Sequence, residues 1–318
     1  MNRFIAQPIA QVGLMSAIGV VLVAGAALLP AIGPLLVFFF PLPIALVGWR
    51  SGVGYALATL VVSVLLAAMF VGPFGAVYTG LFMGAAGIVL GVSARRRWPM
   101  VHTLVAMAGA LLIGTLLAFQ VTQLMISIDL LAQVKAAVAG AIEAARQGAL
   151  AAGNQEYAQV LEMASSYMAR YFALTLPAAL ISVAFAYAFL VLSLLRPFLR
   201  RMNVWLAPAV AFEEWRFPIP FALMFMLGYG GLWAIDHYGW LAVWLEGLSY
   251  NLMLLGYWTM MLQGMALLYF LFRFWKLPKI AAGALLVFVL IFFGLGLPLA
   301  WIGLADAAFD FRKTITAK

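Results

Sequence analysis

The sequence consists mostly of long apolar runs that are separated by short polar or charged segments. About 20 apolar residues carry a helix across the hydrocarbon core of a bilayer, where only helices and closed barrels satisfy every backbone polar group. The runs are continuous rather than alternating, which favours helices over strands. The pattern predicts an all-α, polytopic transmembrane helical bundle of about nine spans (8–10), near residues 9–29, 35–48, 52–70, 74–92, 101–121, 170–195, 217–235, 247–273 and 281–303.

Residues 122–169 break this pattern, because charged side chains are spread through an Ala-rich stretch of high helix propensity. Aliphatic residues recur there every four positions, and Ala152-Gly153-Asn154 supplies a turn. We predict an extramembrane helical hairpin that acts either as a solvated spacer or as a lid or docking element. The predicted regions are a five-span N-terminal membrane region (1–121), this extracytoplasmic hairpin (122–169) and a C-terminal membrane region of about four spans (170–318).

The composition supports the membrane assignment and restricts the chemistry. Hydrophobic residues make up 67% of the chain and charged residues 9%, a balance that a soluble domain of this length cannot keep in solution. The absence of cysteine excludes disulfides, thiolate nucleophiles and Cys-ligated metals. Walker A, HExxH and EF-hand sequences do not occur. We therefore expect no metal site, no cofactor and no enzymatic activity.

The basic residues indicate the orientation of the chain, because cytoplasmic loops are enriched in Lys and Arg. With a cytoplasmic N-terminus, 12 of the 18 fall on the inner side, namely Arg3, Arg50, Arg95, Arg96, Arg97, Arg196, Arg200, Arg201, Arg216, Arg273, Lys276 and Lys279. This placement accounts for the net charge of +8 without nucleic-acid binding and predicts a multi-pass protein of the bacterial inner membrane. Six of these residues are candidate contacts for lipid headgroups or a partner protein: Arg50, Arg95, Arg96, Arg97, Arg200 and Arg201.

The last apolar run leaves the side of the C-terminus open. Nine full spans would place Arg312 and Lys313 outside, against the positive-inside rule. Gly294, Gly296 and Pro298 interrupt the run, so the alternative is a re-entrant hairpin that returns the tail to the cytoplasmic side.

Polar side chains in the eighth predicted span are the main candidates for chemistry, since such groups are costly at membrane depth and usually line a cavity or pair with one another. One helix face carries Glu246, Tyr250 and Tyr257, and a second carries Asn251, Thr259 and Gln263. Solute contact competes with an interfacial position for the first face and with interhelical hydrogen bonding for the second.

Two glutamines outside the eighth span are further candidates for solute contact. Gln120 and Gln123 stand where the fifth span leaves the membrane, and with the polar residues of 246–263 they predict an outward-facing pocket for a small solute.

On the inner side, the segment 213–218 precedes the seventh span and the segment 306–312 follows the last one. An acidic cluster can meet a basic one there, although an amphipathic interfacial helix is also compatible.

Small residues at a spacing of four predict close helix packing on the fourth span. They are Gly80, Gly84, Gly87 and Gly91. Such a stripe lets another backbone come near.

Three stretches resemble the YybS-like family of uncharacterised bacterial membrane proteins. They are Glu214-Trp215-Arg216-Phe217-Pro218, then Asn251 with Gln263-Gly264, and finally Gly303-Leu304-Ala305-Asp306 running into Phe309-Asp310-Phe311-Arg312-Lys313. The resemblance implies a polytopic membrane protein and no particular substrate.

The first half of the chain also resembles the substrate-binding S components of energy-coupling-factor transporters. The similarity lies in short hydrophobic helices joined by Pro41 to Gly54 and by Gly72-Pro73-Phe74-Gly75. It implies transport-related binding of a small solute, which is the function we predict. A non-catalytic envelope assembly or interaction protein, with a membrane protein partner or a second copy, is the alternative. An enzyme acting on a lipid-linked substrate, with Glu246 or Asp306 as acid or base, is a third possibility.

Overall fold

The structure is a computed structural model that describes residues 8–29, 31–126, 130–238, 243–292 and 296–316. Every regular element in these ranges is helical, which confirms the predicted all-α class. The α-helices are α1 (Pro8–Leu28), α2 (Gly33–Val37), α3 (Pro41–Ser51), α4 (Val53–Thr79), α5 (Ala85–Arg96), α6 (Met100–Ile126), α7 (Leu130–Ala151), α8 (Gln155–Arg201), α9 (Ile219–Tyr238), α10 (Val243–Phe274), α11 (Lys279–Phe292), α12 (Gly296–Phe309) and α13 (Phe311–Thr316). A π-helical segment, Gly80–Gly84, joins α4 to α5, and a 3₁₀ turn occupies Phe212–Glu214.

Among the described residues, 7 helical segments are long and apolar enough to cross a membrane, fewer than the predicted nine spans. They are Pro8–Leu28, Gly33–Ser51, Val53–Arg96, Met100–Leu124, Tyr171–Arg201, Ile219–Tyr238 and Leu245–Phe274. Two differences account for the lower count: two predicted spans form one continuous segment, and the last predicted span is a pair of short helices.

The longest of these segments, 44 residues, is a folded hairpin. Its backbone leaves the helical region at Gly72, where φ is 75°. Beyond that point the chain turns back, so that a side chain added to Gly80 would collide with Val64 and one added to Gly84 would collide with Leu60. The spans predicted at 52–70 and 74–92 are therefore the two arms of this hairpin.

The described chain forms two compact units. Unit 1 comprises residues 1–141 and 183–208, and unit 2 comprises residues 142–182 and 209–318. The boundaries cross α7 and α8, so each of these helices contributes to both units. The predicted division into three regions by membrane position stays a prediction.

Glycine contacts bring the helices of unit 1 together. Gly87 of α5 lies against the backbone of Pro41, and Gly91 lies against Ala45 and Gly48, all on α3. A Cβ at either position would fall within 3.0 Å of an α3 backbone atom. The predicted small-residue stripe is thus confirmed as a packing feature.

Helices α7 and α8 are joined at the predicted turn. Gly153 has a φ of 75°, a left-handed conformation that suits glycine. The Oδ1 atom of Asn154 accepts a hydrogen bond from the backbone N–H of Tyr157 at 3.0 Å and caps the start of α8. The hairpin turn is therefore confirmed, and its position outside the membrane stays a prediction.

In unit 2, α10 packs closely against α9 and α12. Side chains added to Gly228 or Gly256 would collide with Met253 or Phe225 across the α9–α10 contact. On the α12 side, Gly303 lies against the backbone of Met260 and of Gly264. Helix α10 is thus in close backbone contact with both neighbours, a geometry that small residues permit.

The last predicted span, 281–303, is replaced by α11 and α12. Each helix has 14 residues, or about 21 Å at 1.5 Å per residue, which is shorter than a hydrocarbon core of about 30 Å. Along α12 the contacts with α10 advance in parallel, from Gly296 beside Tyr257 to Asp306 beside Gln263. The chain therefore returns to the end of unit 2 at which α10 finishes. Of the two sequence alternatives, this geometry agrees with the re-entrant hairpin.

Candidate functional site

Charged and polar side chains from three separate sequence segments meet at the end of unit 2 where α10 finishes. We call this group the charged end of unit 2, defined by Glu213, Glu214, Arg216, Gln263, Arg273, Asp306, Asp310, Arg312 and Lys313. The first three residues precede α9, Gln263 and Arg273 lie on α10, and the last four lie on or after α12. These segments include the three stretches that carry the YybS-like resemblance.

The buried layer of the charged end is an ion pair with an amide beside it. Arg312 Nη2 lies 3.0 Å from Asp306 Oδ2, and the two side chains are only 4% and 3% exposed. The Nε2 group of Gln263 donates a hydrogen bond to the same Asp306 oxygen at 3.1 Å. Arg312 also donates from Nη1 to the backbone oxygen of Glu213 at 2.6 Å. A buried charge pair of this kind is tolerated because its members are hydrogen-bonded as well as paired.

Gln263 connects the pair to the start of α9. Its Oε1 atom accepts a hydrogen bond from the backbone N–H of Phe217 at 3.0 Å. Phe217 directly precedes Pro218, and residues 215–218 form no regular helix that would supply a backbone acceptor for this N–H. One side-chain amide thus joins α10, the segment before α9 and α12. Among the described atoms, the second carboxylate oxygen of Asp306 is buried and accepts no hydrogen bond.

The outer layer of the charged end is more exposed than the buried layer. Asp310 Oδ2 accepts from Arg216 Nη1 at 2.8 Å and lies 2.9 Å from Lys313 Nζ. The hydrogen bond from Lys313, with the charge of Arg216, lowers the pKa of Asp310 below its ordinary value. Arg273 Nε lies 3.9 Å from Glu213 Oε2. Of the two sequence alternatives for these segments, the structure agrees with the meeting of an acidic and a basic cluster.

A cavity of about 260 Å³ opens at this layer. Its lining contains three basic side chains, two acidic ones and one aromatic ring: Arg216, Arg312, Lys313, Glu213, Glu214 and Phe270. Both signs of charge are thus presented around one concave surface. Such a surface can accommodate a polar group that carries either sign of charge or both.

Asn251, a predicted solute contact, hydrogen-bonds to the backbone of α8 on either side of Pro177. Its Oδ1 atom accepts from the backbone N–H of Ala178 at 2.8 Å, and its Nδ2 group donates to the backbone oxygen of Leu174 at 2.7 Å. These are the two groups that an uninterrupted helix would join to each other. Pro177 lies between them, and proline disturbs helix hydrogen bonding. The amide therefore satisfies two backbone groups of α8.

The other predicted residues on α10 lie in different surroundings. Thr259 Oγ1 donates to the backbone oxygens of Leu255 and Gly256 within its own helix. Tyr250 packs edge-to-face on Tyr171, with ring centroids 5.0 Å apart.

The candidate residues extend along most of α10, with Glu246 and Gln263 at the two ends. Glu246 is half-buried near the first turn of the helix, and Tyr257, between the two ends, lies beside Gly296. Because Glu246 and Gln263 are 17 positions apart, they are separated by about 25 Å along the helix. A single small solute cannot touch both ends, and solute binding by any of these residues stays a prediction.

The remaining candidates lie in unit 1. Gln120 and Gln123 are exposed on α6. All six arginines predicted to contact lipid or a partner are exposed: Arg50, Arg95, Arg96, Arg97, Arg200 and Arg201. The guanidinium of Arg50 lies 5.6 Å from the ring centroid of Trp49, within cation–π distance.

Sequence reasoning missed the buried Asp306–Arg312 pair and its link to Gln263. All three residues occur in the stretches that carry the family resemblance, and Asp306 follows an apolar run directly. An acidic residue at the end of a span was a usable signal. The link to Gln263 was harder to find, because the sequence spacing does not show that α12 returns alongside α10.

The helical fold, the apolar segments of membrane-spanning length and the buried polar contacts define a multi-pass α-helical membrane protein. A family model described as "Predicted membrane protein (DUF2232)" matches residues 17–307. Because the match covers most of the chain, the protein belongs to this family. The description names neither the YybS-like family nor S components, so both resemblances stay predictions. Searches of curated proteins and of solved structures find no match.

Proposed function

We propose that this chain is a non-catalytic interaction protein of the membrane, and that the charged end of unit 2 is the surface on which a second membrane protein docks. The main support for the proposal is that polar side chains of α10 form hydrogen bonds with other parts of the protein. Asn251 bonds to α8, Thr259 bonds to its own helix and Gln263 bonds to Asp306 and Phe217. Interhelical bonding of this kind is the usual role of amides in membrane helices.

The charged end has the properties of a docking surface. Helices α9, α10 and α12 support it through close glycine contacts, so its charges are carried by a closely packed framework. The cavity of about 260 Å³ is rimmed by both signs of charge. A partner segment with a complementary pair of charges would gain specificity from this arrangement.

The arrangement around Asp306 supports a role other than catalysis. An acid or base needs to exchange a proton with a substrate. The Oδ2 atom of Asp306 is instead engaged within the protein, because it accepts hydrogen bonds from Arg312 and Gln263. The absence of enzymatic activity remains our prediction.

Site-specific photocrosslinking in cells tests the docking proposal. A photoreactive amino acid replaces Glu214, which lines the cavity and is exposed. The matched control replaces Leu227 of α9, which is 64% exposed and does not line the cavity. We expect a discrete protein adduct from position 214 only, and its yield should fall when Lys313→Glu reverses a charge on the rim. Equal labelling from both positions, or lipid adducts alone from position 214, would count against docking.

Transport-related binding of a small solute is the second candidate, and the cavity at the charged end is the observation that favours it. Its volume suits a compact solute rather than a drug-sized one. The hairpin folded at Gly72 agrees with the S-component resemblance, without assigning a solute.

Native mass spectrometry distinguishes this candidate from docking. A retained small molecule should bind more weakly or be lost in Phe270→Trp, which narrows the cavity, and persist in Phe274→Trp, which lies on the same helix outside the lining. If both variants retain the small molecule equally well, or if the unsubstituted protein retains none, solute binding at this cavity is contradicted.

The cellular setting forms part of the proposal. The positive-inside rule places the charged end of unit 2 in the cytoplasm of a bacterial cell, together with the N-terminus. The re-entrant hairpin supports this assignment, because it brings Arg312 and Lys313 to the same end as Arg273. The hairpin of α7 and α8 would then face the extracytoplasmic side.

A further inference from the structure

Six exposed arginines lie at the termini of three helices in unit 1. We call Arg50, Arg95, Arg96, Arg97, Arg200 and Arg201 the arginine end of unit 1. Arg50 lies at the end of α3, the next three at the end of α5, and the last two at the end of α8. A Cβ added to Gly52 would lie 3.0 Å from Arg95 Nη1, which brings the α3 and α5 termini together. Arg50 and Met202 line one small cavity, which adds the α8 terminus.

The arginine end has little negative charge within its own unit. In the two ranges that form unit 1, the sequence contains a single acidic residue, Asp129, which lies outside the described residues. None of the six arginines has a carboxylate within ion-pair distance among the described residues. At the charged end of unit 2, by contrast, Arg216, Arg273 and Arg312 each lie beside a carboxylate. The two units therefore differ in how their arginines are neutralised.

Aromatic and apolar side chains around the arginine end indicate its depth in the membrane. Trp49 lies beside Arg50, and Trp205 and Phe198 are 38% and 42% exposed near the end of α8. Tryptophan is enriched where a bilayer meets water. The guanidinium groups are consequently placed at the level of lipid headgroups.

We propose that the arginine end of unit 1 binds the phosphodiester headgroups of anionic phospholipids. A planar guanidinium offers two parallel donors to phosphate oxygens, which a lysine ammonium does not. Clusters of four to eight basic residues beside membrane helices attract anionic lipid. The absence of nearby carboxylates favours an external anion as the counter-charge, and the headgroup level favours a lipid over a free phosphate ion.

Lipid retention measured by native mass spectrometry tests this inference. The whole protein is reconstituted in nanodiscs of equal parts phosphatidylglycerol and phosphatidylcholine, and the anionic lipid that remains bound is counted. We expect Arg95→Gln/Arg96→Gln/Arg97→Gln to retain about tenfold less phosphatidylglycerol, because each lost cation weakens the attraction. Addition of inorganic phosphate should not displace the lipid; displacement would identify a site for free phosphate and overturn the assignment.

The matched control removes the same charge from unit 2. Lys276→Gln/Lys279→Gln/Lys313→Gln should leave lipid retention unchanged, because Lys313 lies beside Asp310 and a lysine ammonium lacks the two parallel donors of a guanidinium. If both triple variants lose the same amount of bound phosphatidylglycerol, the lipid is attracted by overall charge alone, and a specific site at the arginine end of unit 1 is contradicted. If the first triple variant does not fold, Arg200→Gln/Arg201→Gln gives the same test on α8, and unchanged retention there would also overturn the inference.

Discussion

Gln263 and Asp306 lie 43 positions apart in sequence, and their side chains are joined by a hydrogen bond of 3.1 Å. The bond fixes α12 alongside α10 at the level where both helices reach the charged end of unit 2. It also changes the interpretation of Gln263. A polar residue that resembles a ligand contact in the sequence is a link between helices in the structure.

Loss of either partner from the buried ion pair should destabilise the protein. Arg312→Leu leaves the Asp306 carboxylate buried without its counter-charge, at a cost of about 3–5 kcal/mol in the free energy of unfolding. Asp306→Leu/Arg312→Leu should cost less than Arg312→Leu alone, because no isolated charge remains. Denaturant unfolding of the purified protein measures both. Additive costs in the double variant would contradict a coupled pair.

Close packing of α10 on α12 predicts different effects for two glycines. Gly303→Ala should cost about 1–3 kcal/mol of unfolding free energy, because its new methyl group meets the backbone of Met260. Gly283→Ala on α11 is the control, since a Cβ there has no atom within 4 Å. It should be neutral or stabilise by up to about 1 kcal/mol. Equal effects in thermal unfolding would contradict the described α10–α12 contact.

Asn251 should contribute more stability than its neighbour Thr259. Asn251→Leu leaves the Ala178 N–H and the Leu174 oxygen without their side-chain partner, which costs about 1–3 kcal/mol for buried groups. Thr259→Val removes only bonds within one helix and should cost less than about 0.5 kcal/mol. Hydrogen exchange at Ala178 should rise in the first variant alone. Unchanged exchange there would show that the amide does not bridge α8.

Asp310 should contribute pH-dependent stability. Its pKa is lowered in the folded protein by the hydrogen bond from Lys313 and by Arg216. The contribution is therefore complete above the unfolded pKa of about 3.9 and is lost as the pH falls through the lower folded value. At neutral pH, Asp310→Asn should unfold at a lower temperature than the unsubstituted protein, and the difference should shrink in acid. A difference that grows in acid would contradict the assigned ion pairs.

Several parts of the fold were predictable because they depend on local pattern. Continuous apolar runs identified most of the spanning segments, and Gly153-Asn154 identified the turn between α7 and α8. The stripe from Gly80 to Gly91 predicted close packing, although its two halves face different helices. Gly80 and Gly84 meet the arm that carries Leu60, whereas Gly87 and Gly91 meet α3.

Other parts depend on which helices become neighbours, and sequence periodicity does not contain that information. The run 281–303 contains no charged residue, so hydropathy alone does not distinguish one span from two shorter helices. Gly294, Gly296 and Pro298 indicated the second alternative without deciding between the two. The polar face of α10 was visible in the sequence, but its partners on α8 and α12 were not. Asn251 and Gln263 could therefore be selected as important polar residues while their roles in packing stayed open.

An electron cryomicroscopy map of the protein in lipid nanodiscs, prepared from native membranes without added ligand, would show directly whether the polar side chains of α10 bond only to neighbouring helices. We predict that Asn251 contacts Ala178 and Leu174, that Gln263 contacts Asp306 and Phe217, and that these side chains touch no density except protein. Density for a small molecule against Asn251, Tyr257 or Gln263 would contradict a purely structural role of these side chains and make solute binding the function of α10.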